Sequence, residues 1–172
     1  MDFKQYIREV PDFPKPGINY KDITPLFLEP QIINLCVEAI CDNIPKQKQI
    51  HKVVGIESRG FLLSTLIAQK LNAGMVLVRK PGKLPYKTHK KSYRLEYGVD
   101  SIEMHVDAIY EGDNVLIHDD VLATGGTAKA ANELVKICGG IVVQNNFLIE
   151  LEALKGRQQL IDQDIFSLMT YE

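Results

Sequence analysis

Two adjacent carboxylates, Asp119 and Asp120, end the run Val115-Leu116-Ile117-His118 and lead into Val121-Leu122-Ala123-Thr124-Gly125-Gly126-Thr127-Ala128. Small residues at Ala123, Gly125 and Gly126 let backbone N–H groups close around a phosphate. Thr124 and Thr127 can donate hydroxyls to it, and a helix starting here adds the positive end of its dipole. Carboxylates beside such a cradle repel a phosphate unless they accept hydroxyls or hold a cation. The pair therefore points to a sugar phosphate whose ribose hydroxyls Asp119 and Asp120 accept, with Mg²⁺ nearby. From physics alone the alternatives are an acidic strand end beside a helix cap, or a metal-binding acidic pocket like that of response regulators. The lysine and spacing of G-x-x-x-x-G-K-[ST] are missing and no G-x-G-x-x-G occurs, so nucleoside triphosphate and dinucleotide folds fit poorly.

A second constellation is basic. Arg79, Lys80, Lys83, Lys87, Lys90, Lys91 and Arg94 fall within sixteen residues that contain no acid, in a chain whose formal net charge is −2. A charge run is often only a solvated face, but this one begins directly after the apolar run Met75-Val76-Leu77-Val78 and contains the turn former Pro81-Gly82, which reads as a local anion site. A third candidate is Glu57-Ser58-Arg59-Gly60, behind Val53-Val54-Gly55-Ile56. Backbone amides there could approach a phosphate, or Ser58 could simply cap a strand-to-helix turn.

These residues need elements to hold them. The continuous β-branched runs at 53–56, 75–78, 115–117 and 141–143 predict strands covered on both faces, and helical periods lie at 60–71 and 127–138. Strand–helix–strand alternation predicts an α/β fold with a mainly parallel sheet flanked by helices, whose ligands bind beyond the carboxyl ends of the strands. Phe3, Tyr6, Ile7 and Val10 predict a short opening helix ended by Pro11, and Ile32, Leu35, Cys36, Ala39 and Ile40 predict a helix over 31–44. Between them, residues 12–30 are dense in proline yet apolar, which predicts an irregular loop with something to cover.

At 172 residues and 45% hydrophobic composition the chain is expected to form a single domain over 1–172. No apolar run is long enough to span a bilayer, and residues 1–10 lack an apolar leader, so a cytoplasmic protein with no membrane role is expected. The slightly acidic balance argues against nucleic acid as a partner. Three cysteines without C-x-x-C and four scattered histidines indicate neither disulfides nor zinc.

The segment from Asp119 to Thr127 resembles the phosphoribosyl pyrophosphate (PRPP) motif of type I phosphoribosyltransferases. Phe13-Pro14-Lys15-Pro16-Gly17-Ile18, Asp22-Ile23-Thr24-Pro25, Glu57-Ser58-Arg59-Gly60-Phe61, Arg79-Lys80-Pro81-Gly82-Lys83-Leu84-Pro85, Leu95-Glu96-Tyr97-Gly98 and Leu154-Lys155-Gly156-Arg157 are similar to the adenine phosphoribosyltransferases, so the resemblance covers nearly the whole chain. It implies the type I fold with an N-terminal helix and hood over 1–30 and a flexible catalytic lid over 86–105. The reaction implied is adenine plus PRPP giving AMP and pyrophosphate, with Mg²⁺ as cofactor. Ala123, Thr124, Gly125, Gly126 and Thr127 would bind PRPP with Asp119 and Asp120, and no direct metal ligand is assigned beyond their vicinity.

By the same resemblance Glu57, Ser58, Arg59, Arg79, Lys80 and Lys83 bind pyrophosphate. The Glu57–Ser58 peptide would be cis, Arg59 would lie near the purine, and Lys80 would reach in from the partner of a homodimer. Glu96 would handle the proton at purine N7 with Tyr97 beside it in the closed lid, since a lid excludes water from an oxocarbenium-like transition state. The adenine would stack on Tyr20, with the backbone of Asn19 and Lys21 reading its edge. Here the chain departs from the family, where Phe and Arg are usual at the positions of Tyr20 and Lys21. Two other readings are a 6-oxopurine phosphoribosyltransferase and a PRPP-sensing regulator without catalysis. The first is not expected to combine Leu95-Glu96-Tyr97-Gly98 with the hood, and the second lacks a DNA-binding segment here.

Overall fold

The computed structural model describes residues 1–94 and 98–172, which fall into two compact units, Met1–Ala39 and Ile40–Glu172. In the first, a single 3₁₀ turn (Phe3–Tyr6) is capped by Asp2, whose carboxylate accepts the Lys4 N–H at 2.9 Å. The expected opening helix does not continue: β1 (Arg8–Pro11) follows and pairs antiparallel with β2 (Asn19–Asp22). A helix of two turns is marginal by itself, and the strand pairing satisfies the same backbone groups. Residues 12–30 are likewise more ordered than expected. Gly17, at φ 86°, donates its N–H to the Asp12 carboxylate at 2.8 Å, reversing the chain so that β2 meets β1, and a 3₁₀ segment (Thr24–Leu28) leads into α1. Helix α1 (Pro30–Asp42) begins in this unit and ends in the next.

The second unit is built on β3 (Lys52–Ile56), β4 (Gly74–Val78), β7 (Asn114–Leu122), β8 (Ile141–Leu151) and β9 (Ile165–Tyr171), with β5 (Thr88–Arg94) and β6 (Val99–His105) between β4 and β7. The main sheet has the order β4-β3-β7-β8-β9 and is parallel throughout, so the expected architecture stands, with β9 as an added edge strand. Helices α2 (Gly60–Lys70) and α3 (Gly126–Ile137) make the crossovers. Neighbouring strand residues point to opposite faces. Thus Val54 and Ile56 join Val76, Val78, Val115 and Ile117 against Ala130, Ala131, Leu134 and Val135 of α3, while Gly55 lies against Ser64 of α2.

The segment expected to be a lid, 86–105, is for the most part an antiparallel hairpin in which Tyr93 stands opposite Asp100. Ile102 and Met104 are buried in the α3-side core while Ser101, Glu103 and His105 alternate with them, the period of a half-buried strand. A further antiparallel bridge between Arg79 and Glu103 fastens β6 to the chain leaving β4. Residues 95–97, and with them the expected roles of Glu96 and Tyr97, lie outside the described residues.

Candidate active site

Three strand ends converge. The chain leaves β3 at Ile56 through Glu57-Ser58-Arg59 into α2, leaves β4 at Val78 through Arg79-Lys80, and leaves β7 through Ala123-Thr124-Gly125 into α3. The Glu57–Ser58 peptide is cis. Gly60, the first residue of α2, sits so close to β7 that a methyl group there would lie 2.7 Å from an Asp119 carboxylate oxygen, which is why the helix start can reach the acidic pair.

Asp119 and Asp120 occupy one wall of a cleft of about 240 Å³ that also includes Glu57, Ser58, Arg59, Lys80 and Thr127. Asp120 is ion-paired to Arg59 Nε at 2.6 Å, and its N–H donates to Asp119 Oδ1 at 2.9 Å. Burial and the Asp120 charge hold the Asp119 carboxyl well above the usual range. Burial raises Asp120 as well, with Arg59 pulling it back. Arg59 and one backbone N–H only partly offset two adjacent buried carboxyls, and sugar hydroxyls or a ligand-borne cation would add further compensation. Thr127 borders a second, smaller cleft of about 60 Å³ formed with Ala123, Thr124 and Gly125, whose φ of 81° turns the loop into the helix start. Successive N–H groups at such a turn form an anion-binding concavity.

The basic residues are organised by carboxylates. Glu57 accepts from Lys83 Nζ at 2.6 Å, from the Lys80 N–H at 2.9 Å and from Arg79 Nη2 at 3.1 Å. Burial works against its charge, but these three donors outweigh burial and hold the carboxyl at about 2. A carboxyl so lowered from its ordinary 4.5 stabilises the fold fully above that value, and the contribution disappears as pH falls toward about 2. Glu57→Gln is therefore expected to flatten the acid limb of the melting temperature against pH over this window, and an unchanged limb would remove Glu57 as its source. Lys80 Nζ binds Asp100 of β6 and donates to the Tyr93 hydroxyl at 3.1 Å.

Of the residues singled out from sequence, Glu57, Ser58, Arg59, Lys80, Asp119, Asp120 and Thr127 line one cleft, and Arg79 and Lys83 join it through Glu57. Asn19, Tyr20 and Lys21 belong to the first unit. There Asn19 donates to Glu9 at 2.7 Å, Lys21 pairs with Glu9 at 3.0 Å and the Tyr20 ring meets Phe13 edge-on at 5.2 Å. Sequence reasoning missed Tyr93 and Asp100. Their signal was the alternation Ser101-Ile102-Glu103-Met104-His105, which marks a strand and hence a hairpin that brings both to Lys80. The hairpin also borders a cavity of about 650 Å³, where Lys91 and Tyr93 face Thr124, Gly126 and Glu133, and Lys91 is ion-paired with Glu133 at 2.6 Å.

The family model of the phosphoribosyl transferase domain matches residues 27–162. The adenine phosphoribosyltransferase of Christiangramia forsetii is 58% identical over 171 residues, which cover 99% of either chain. The chain belongs to the adenine phosphoribosyltransferase family. Solved structures of the family agree with the fold. The adenine phosphoribosyltransferase of Thermoanaerobacter pseudethanolicus superposes with a TM-score of 0.94 at 46% identity, covering 98% of this chain and 97% of that one. The enzyme of Saccharomyces cerevisiae, solved with adenine and an imino-altritol bisphosphate, superposes with a TM-score of 0.92 at 39% identity, covering 96% and 95%. The parallel sheet flanked by helices agrees with the type I fold that the sequence resemblance implied.

Proposed function

We propose that the protein transfers the 5-phosphoribosyl group of PRPP to adenine, releasing AMP and pyrophosphate, as a purine-salvage enzyme of the cytoplasm. The observation that carries the reading is the meeting, at two clefts that share Asp119 and Thr127, of a buried acidic pair, a helix-start phosphate loop and a set of cations held by Glu57. PRPP presents ribose hydroxyls, a 5-phosphate and a multiply charged diphosphate leaving group, and the three features answer each of these. No helix among the described residues is long and apolar enough to cross a membrane.

In this reading the amides and hydroxyls of 123–127 hold the 5′-phosphate, and Asp119 and Asp120 accept the ribose hydroxyls. Ser58, Arg59, Arg79, Lys80 and Lys83 receive pyrophosphate. Arg79 and Lys83 turn from Glu57 toward the leaving group, and Lys80 turns from Asp100 toward the pyrophosphate of the second copy in a homodimer. As the glycosidic C–O bond breaks, negative charge accumulates on pyrophosphate oxygens, where fixed cations stabilise it more than in the ground state. Adenine stacks on Tyr20, its edge read by the backbone of Asn19 and Lys21 and by Arg59. Glu96 holds or moves the proton at N7, with Tyr97 beside it in a closing lid.

Among the described residues no group of three or more His, Cys, Asp or Glu could cage a metal ion. Mg²⁺ keeps several waters and prefers substrate phosphates to an all-protein cage, and Asp119 and Asp120 would be the carboxylates nearest to it. When bound, the ion neutralises pyrophosphate charge. A homodimer in which Lys80 serves the partner's site completes the reading, on the strength of the resemblance in Arg79-Lys80-Pro81-Gly82-Lys83.

The deciding test offers adenine, hypoxanthine and guanine in parallel with PRPP and Mg²⁺ and measures nucleotide and pyrophosphate formed. Adenine is expected to be preferred by at least roughly 10² in kcat/KM, since a site that hydrogen-bonds a 6-amino group leaves its partners unpaired against a 6-oxo group. Comparable turnover of an oxopurine would shift the specificity, and PRPP binding without turnover of any base would make the protein a sensor.

A further inference from the structure

Leu154-Lys155-Gly156-Arg157 is similar to the family, yet none of these residues reaches the cleft that holds Asp119 and Asp120. The turn they open instead lies behind the phosphate loop. A methyl group on Gly125 would collide with the Gly156 carbonyl oxygen and stand 3.1 Å from Gln159 Cβ. A methyl group on Gly156 would collide with the Ala123 carbonyl oxygen and stand 2.8 Å from Leu122 Cδ1. Two backbones are thus packed face to face with no side chain between them, which glycine alone permits.

The turn is pinned at both ends. Arg157 donates a fork to Glu150 of β8, Nε to Oε1 and Nη2 to Oε2, both at 2.7 Å, and Ser167 of β9 donates to the same carboxylate at 2.6 Å. Glu150 is only 4% exposed, so this bidentate pair satisfies a buried charge in a fixed geometry. At the other end Leu160 is buried against Leu122, Ala128 and Phe147, the residues that flank the phosphate loop in β7, α3 and β8. The loop at 123–127 has no side chain larger than threonine to hold its own shape. Its backbone direction must come from what it rests on.

We propose that residues 155–160 form the rear wall of the phosphate loop, and that Arg157, through its fork on Glu150, is a positioning residue for the loop amides that grip the 5′-phosphate. The proposal rests on the reading of 123–127 as the phosphate site. Arg157 touches no substrate in this scheme. Pyrophosphate, held by the ends of β3 and β4, should not sense the turn.

The test measures binding of ribose 5-phosphate and of pyrophosphate with Mg²⁺ by calorimetry, together with PRPP kinetics, for the wild-type protein, Gly156→Ala and Arg157→Lys. Gly156 does not require a left-handed backbone, so alanine there acts through the pressed Ala123 carbonyl. Arg157→Lys keeps the charge beside Glu150, adds no volume and loses the fork, and it carries the test should Gly156→Ala not fold. Ribose 5-phosphate is expected to weaken roughly tenfold in Gly156→Ala and about threefold in Arg157→Lys, as misaligned charge-assisted donors would produce. Pyrophosphate affinity should stay within about twofold and the kinetic loss should fall on the KM for PRPP rather than on kcat. Unaltered ribose 5-phosphate binding, or equal loss of both ligands, overturns the proposal and leaves the phosphate site in place. A wild-type protein that binds pyrophosphate but not ribose 5-phosphate removes the phosphate-site assignment and the proposal with it.

Discussion

Replacing Asp119 and Asp120 together by asparagine is expected to raise the KM for PRPP by roughly two to four orders of magnitude. The two carboxylates stand at the end of β7 inside the cleft, and burial already holds both in an environment hostile to negative charge. Ribose hydroxyls relieve that hostility by donating to them. A hydrogen bond to a charged acceptor is worth about 1.5–3 kcal/mol, so losing one at each residue costs about 3–6 kcal/mol in ligand affinity. The fold should tolerate the change. Asn keeps the shape, and two buried like charges that repel one another are removed, so the melting temperature is expected to hold or rise. Pyrophosphate binding through Lys83, Arg79 and Ser58 should be little affected, although Arg59 loses its partner at Asp120. A double variant whose PRPP kinetics match the wild type would take the acidic pair out of substrate binding.

The second large effect is expected at Glu96. Glu96→Gln should lower kcat by roughly 10²-fold or more, the range associated with one positioned proton carrier, with a much smaller change in the KM for PRPP or adenine. The distinction from Asp119 and Asp120 lies in the split. A group that acts at purine N7 only as the glycosidic bond forms contributes little to ground-state binding, whereas a group that holds the ribose contributes to both states. A glutamine variant as fast as the wild type would remove Glu96 from the proton path, and a variant altered only in KM would make it a binding residue.

The parallel sheet was legible because its strands are buried on both faces and therefore read as continuous β-branched runs, as at Val53-Val54 and Val115-Leu116-Ile117. The acidic pair and the loop after it were legible for a related reason. In a parallel sheet the residues just past each strand are the ones that meet ligands, so position along the chain implies position in the site. The opening segment differs from expectation because the helical spacing of Phe3, Tyr6, Ile7 and Val10 is also compatible with a single 3₁₀ turn followed by a strand. The choice was made by pairing with residues 19–22. In the segment 86–105 the basic charge masks the strand period at 101–105, which is the signal of the hairpin.

The sequence by itself determined the α/β class, the strand ends that carry Glu57, Arg79 and Asp119, and the family, because each depends on local period and on short motifs. Only the tertiary structure decided that Glu57 gathers Lys83, Arg79 and the Lys80 amide, that Lys80 meets Asp100 and Tyr93, and that Gly156 backs Gly125. These partners lie 13 to 31 residues apart in the chain. No periodicity links them, and their meeting is set by strand order and hairpin register, which depend on how the whole core packs.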